Sequence, residues 1–123
     1  MKQTIYDYTW KEFTSYTGSD NPITFKTRNL LVDYITGIFE PEDTEMMSLR
    51  FIVMGRITTL FIHVPNCDKM YNIDANVVIT FIENEDAEIE ISTMHVIDTC
   101  YVDIVADLAV KNGELKNIHY TEL

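Results

Sequence analysis

Three histidines, two cysteines and a crowd of carboxylates are the side chains in this chain whose types suit chemistry. His63, His95 and His119 are the candidates for general acid or base work, because an imidazole changes charge near neutral pH. Cys67 and Cys100 are too few and too far apart for a zinc framework, and they lack the Cys-x-x-Cys spacing of a redox pair. Two free thiols are expected, since a disulfide would need their two loops to lie side by side. Asp68 and Asp74 do not have the spacing of a twelve-residue calcium loop with its central glycine. With only four glycines there is no glycine-rich phosphate cradle, and no serine or cysteine stands in a strand–turn–helix setting. No metal and no cofactor are expected on these grounds, and a non-enzymatic role is favoured over an enzymatic one.

The carboxylates carry a different signal. The formal net charge is −11. Residues 1–69 hold seven Lys/Arg against nine Asp/Glu, and residues 70–123 hold two against eleven, so the second half carries −9 of the total. Not one Lys or Arg lies between Lys69 and Lys111. Such a field repels phosphate and draws in cationic surfaces, which argues against direct contact with nucleic acid or anionic membrane and for a basic protein partner.

The elements that must position these groups follow from periodicity. Thr9-Trp10-Lys11-Glu12 has the spacing of a capping box, and Trp10, Phe13 and Tyr16 repeat along one face of the short helix it opens. Leu30, Leu31, Tyr34, Ile35, Ile38 and Phe39 form a stripe of helical period, with Thr27 as the expected cap and Pro41 ending the run. Residues 47–64 have the pattern of a hairpin with a type II′ turn at Gly55-Arg56, which pairs Met54 with Ile57. Both of its faces are substantially apolar. The face holding Ile52, Met54, Ile57 and Phe61 should be covered by helix 27–39 or by a second subunit.

Residues 65–75 are expected to be a polar crossing loop. From Asn76 to Val110 apolar residues alternate in three successive strands, and Asn112-Gly113 marks a type I′ turn that sets Lys111 opposite Glu114 and Ala106 opposite His119. The loop around Asn84-Glu85-Asp86 should hold an odd number of residues, because an even turn would send Phe81 to the wrong face. A two-residue turn at Thr99-Cys100 would pair Ile97 with Val102, Glu90 with Ala109 and Ser92 with Asp107.

The expected fold is α+β: two N-terminal helices packed on a curved antiparallel sheet of about five to six strands, in one domain over 1–123, with a helical segment at 1–40 and the sheet at 47–121. Hydrophobic residues at 46% and charged residues at 24% are ordinary globular values. No apolar run approaches the length of a membrane span, and the first residues show no apolar signal region, so a cytoplasmic protein is expected. The order and size of the elements resemble cystatin-like or nuclear-transport-factor-like sheets, a likeness of architecture alone.

The leading functional expectation is a small acidic interaction or inhibitor protein. Glu83, Glu85, Asp86, Glu88, Glu90, Asp103 and Asp107 would form a ridge that docks a basic, nucleic-acid-handling protein, as anti-CRISPR, anti-restriction and toxin-immunity proteins do by general type. The alternative is a ligand-binding or enzymatic pocket in which His95, Asn117 and His119 share the concave face. A homodimer through the second face of the hairpin is the third expectation.

Overall fold

The computed structural model describes residues 3–16, 22–65, 72–83, 86–96 and 100–122. Its order is β1 (Thr4–Thr9), α1 (Trp10–Ser15), α2 (Phe25–Ile38), α3 (Pro41–Met46), then β2 (Ser48–Met54), β3 (Ile57–Val64), β4 (Asn72–Glu83), β5 (Asp86–Val96), β6 (Cys100–Lys111) and β7 (Glu114–Glu122). The seven strands lie side by side in chain order, every pair antiparallel. The α+β class holds, with three helices and seven strands among the described residues in place of two and five to six.

Local chemistry explains most of the elements. At the start of α1, Thr9 Oγ1 accepts the Glu12 N–H at 3.1 Å and Glu12 Oε1 accepts the Thr9 N–H at 3.0 Å, the reciprocal bonds of a capping box. In α2 the cap is Thr24, whose hydroxyl accepts the Thr27 N–H at 3.3 Å; Thr27 lies inside the first turn, buried. Pro41 does more than end α2. It occupies the first turn of α3, where its missing N–H costs nothing and its fixed φ suits a helix.

The two hairpin turns are built as the sequence demands. Gly55 has φ 62° and closes β2 onto β3 with Met54 opposite Ile57. Asn112 (φ 53°) and Gly113 (φ 80°) form the β6–β7 turn, with Lys111 opposite Glu114. The left-handed region is open to glycine and tolerated by asparagine, so both turns are specified by two residues each.

Antiparallel sheets with one solvated face alternate in and out. The inner face buries Leu49 and Phe51 of β2, Leu60 and Ile62 of β3, Val77 and Ile79 of β4, Ile89 and Ile91 of β5, and Ala106 and Leu108 of β6. Against it pack Phe13 from α1 and Leu31, Ile35 and Phe39 from α2 and its C-terminus. An aromatic cluster links the first helix to the sheet: the Phe13 ring lies 5.4 Å from Phe51 and 5.9 Å from Tyr16, and Tyr8 reaches both Phe51 and Tyr16. Helices therefore take the Leu49/Phe51 face. They leave the Ile52/Phe61 face of the same hairpin open, which corrects the expectation that helix 27–39 would cover it.

Three register shifts separate the structure from a regular meander. Glu83 pairs with Asp86, an even turn, yet Phe81 still meets Ala87 on the inner face because Ile82 is the extra residue and stands 53% exposed. Parity is restored by a bulge, not by an odd loop. In β6, Thr93 pairs with Ile104 but Met94 with Val102, leaving Asp103 over; Cys100 is opposite Val96 within the strand. Ile97 and Thr99 lie outside the described residues. In β7, Leu108 pairs with Asn117 but Asp107 with His119, leaving Ile118 over. The expected loop at 65–75 is also shorter than read, since β4 begins at Asn72.

Candidate functional site: the outer sheet face

The outer face is a grid whose rows run across the strands. One row reads Ile52, Thr59, Val78, Glu90, Asp107 and His119 from β2 to β7; the next reads Met54, Ile57, Thr80, Glu88, Ala109 and Lys116. Direct cross-strand neighbours stand about 5 Å apart, and every second residue along a strand about 7 Å. Glu90 is thus opposite Asp107 and Glu88 opposite Ala109, where the two-residue turn at Thr99-Cys100 would have set Glu90 against Ala109 and Ser92 against Asp107. The difference is two places: β6 already pairs Cys100 with Val96, three places short of the expected register, and the unpaired Asp103 recovers one of them.

Of the seven carboxylates expected to form a ridge, the structure brings three together: Glu88 and Glu90, both exposed, and Asp107, partly so. Among the described residues none of the three has an ion-pair or hydrogen-bond partner. Asp86 is committed elsewhere, its Oδ1 accepting the Asn112 N–H at 3.1 Å and so bracing the β6–β7 turn. Glu85 lies outside the described residues, as do the side chains of Glu83 and Asp103.

Two residues of the alternative pocket, Asn117 and His119, stand on opposite faces of β7. Asn117 is in register with the inner residue Leu108, whereas His119 is in register with the outer residue Asp107, because Ile118 between them bulges. This corrects the expected pairing of Ala106 with His119. His119 is exposed, and its Nε2 lies 2.7 Å from Thr121 Oγ1. His95 is in register with Ile73; its side chain lies outside the described set.

The other end of the outer face is organised by cross-strand polar pairs that sequence reasoning missed. Arg50 Nε donates to Asp7 Oδ1 at 2.8 Å across the β1–β2 pair, and this hydrogen bond, with the guanidinium charge behind it, holds the Asp7 carboxyl below the usual carboxylate range. His63 Nδ1 lies 2.6 Å from Asp74 Oδ1 across β3 and β4. Asp74 is therefore a strand residue beside an imidazole, not a loop ligand. The signal was present in alternation: Ile73, Ala75 and Val77 continue the period of β4 back through the stretch read as a loop. Beside these pairs opens a cleft of about 540 Å³, bordered by Thr9, Glu12, Ser48, Arg50, Phe61 and His63.

Between the two charged ends the face is greasy. Ile5 (54% exposed), Met54 (44%), Ile57 (45%) and Phe61 (41%) stand in solvent, with Ile52 and Val78 beside them. An apolar field spanning β1–β4 thus abuts an acidic strip on β5 and β6. Among the described residues no group of three His, Cys, Asp or Glu side chains could hold a metal ion, and no helix is long and apolar enough to cross a membrane.

Fold and face together define a class: an α+β protein built on one seven-stranded antiparallel sheet, with helices on one side and a half-apolar, half-acidic face on the other. Comparison with protein-family models, with curated proteins and with solved structures finds no match.

Proposed function

We propose that this is a non-enzymatic interaction protein of the cytoplasm that docks its outer sheet face on a basic, nucleic-acid-handling protein and inhibits it. The observation that carries this reading is the uncompensated pair Glu90 and Asp107, opposite one another on adjacent strands with Glu88 one step along. Like charges in directly opposed sheet positions oppose folding by roughly 0.2–1 kcal/mol, so the arrangement contributes nothing to stability. A basic partner removes that repulsion on binding. Carboxylates at about 5 Å across and about 7 Å along the strands also match the charge density of a nucleic-acid backbone, which suits them to the groove of an enzyme that handles one.

The test compares wild type with a Glu90→Lys/Asp107→Lys variant. Both should melt at similar temperatures, since substitutions at exposed strand positions stay within about 0.5 kcal/mol. After nuclease treatment of a low-salt cell lysate, immobilised wild type should retain basic nucleic-acid-handling proteins and the variant should not. Association with a retained partner should slow steeply between about 50 and 500 mM salt. Equal retention by both forms would make the strip a solvated surface and end this reading.

A further inference from the structure

We propose that the occupant of the outer face is a basic amphipathic helix, apolar along one flank and Lys/Arg-rich along the other, lying over β4 with its apolar flank on Ile57, Phe61 and Val78 and its cationic flank on Glu88, Glu90 and Asp107. This rests on the docking reading above and adds the chemistry of the ligand. The apolar and acidic fields meet along one line. Val78 has Thr59 as its neighbour on β3 and Glu90 on β5, and Thr80 has Ile57 and Glu88. An occupant centred on that line touches both fields at once.

The widths decide the shape. The acidic strip covers two strands, β5 and β6, and gives way on β7 to Lys116, so cationic side chains are attracted over a band of about 10 Å. An α-helix with its side chains is about 10–12 Å across. Laid along the strands over β4, it spans the boundary and places opposite flanks on opposite fields. Arg50, opposite Phe61 in the apolar field, is held by Asp7 at 2.8 Å, so its charge is already paired. A purely cationic chain leaves Ile57 and Phe61 in water. A nucleic acid or an anionic bilayer is repelled by the strip, and a second copy seated on the apolar field leaves the strip unused.

The experiment titrates ¹⁵N-labelled protein with three synthetic probes. One is a Leu/Lys peptide with leucines at helical period; the second has the same composition in scrambled order; the third is oligolysine of equal charge. The periodic peptide should bind at least about tenfold more tightly than the other two, with the largest shifts at the amides of Phe61, Val78, Glu90 and Asp107. Phe61→Ser and Glu90→Lys should each weaken it by about tenfold or more while leaving the rest of the spectrum in place. Oligolysine binding as tightly as the periodic peptide would overturn the amphipathic helix while leaving the docking reading intact. The same holds for a concentration-dependent dimer that Phe61→Ser abolishes, since the apolar field would then belong to a second copy. Loss of lysate retention in wild type, by contrast, would remove the docking reading itself.

Discussion

Glu90 on β5 and Asp107 on β6 are direct cross-strand partners, two carboxylates facing each other in the middle strands of a sheet with no cation between them. One consequence is independent of any partner. Glu90→Gln removes a like-charge contact and nothing else, so it should stabilise the fold by about 0.2–1 kcal/mol at low ionic strength. Urea unfolding at about 20 mM and about 500 mM salt checks this, because screening should shrink the gain at the higher salt. No gain at low salt would mean that the two carboxylates splay apart into water.

Phe13 and Phe61 test which face is the core. Phe13 is fully buried among Phe51, Tyr16 and Trp10, so Phe13→Ala should cost about 3–5 kcal/mol. Phe61 stands on the outer face, 41% exposed, and Phe61→Ala should cost about 1 kcal/mol or less. Denaturant midpoints of the two variants decide it, and similar losses would mean that the outer face is covered in the free protein.

Tyr16 should make the fold sensitive to alkali. Burial raises its hydroxyl to about 12, the nearby Arg28 guanidinium offsetting part of that rise, and the hydroxyl donates to the Ile23 carbonyl at 3.2 Å. The folded chain keeps a proton that the unfolded chain releases near pH 10. The resulting stabilisation is complete below about pH 10 and is lost as pH climbs toward 12. Because the ring is only half-buried, solvent screening holds the loss to the order of 1 kcal/mol. Tyr16→Phe should flatten the decline in melting temperature between about pH 9 and pH 11; an unchanged slope would place the effect on Tyr8 or Tyr34, whose hydroxyls are also raised by burial.

The sequence by itself determined whatever depends on neighbours in the chain. Thr9 and Glu12 announce α1 because both halves of the capping box lie three residues apart. Gly55 and Asn112-Gly113 set the register of two hairpins because few residues adopt positive φ, and alternation then sorts Leu49, Phe51, Leu60 and Ile62 from Arg50, Ile52 and Phe61. Tertiary structure alone decided which sorted set became the core. Both faces of the β2–β3 hairpin are greasy enough, and only packing of Phe13, Leu31 and Ile35 chose between them. It also decided the bulges at Ile82 and Ile118 and the shift at Asp103. A one-residue slip leaves the period of two intact on either side, so its position is invisible in the alternation, yet it moves every later side chain to the opposite face. The slip at Ile118 carried His119 away from Asn117, and the separate shift at Asp103 helped set Glu90 opposite Asp107.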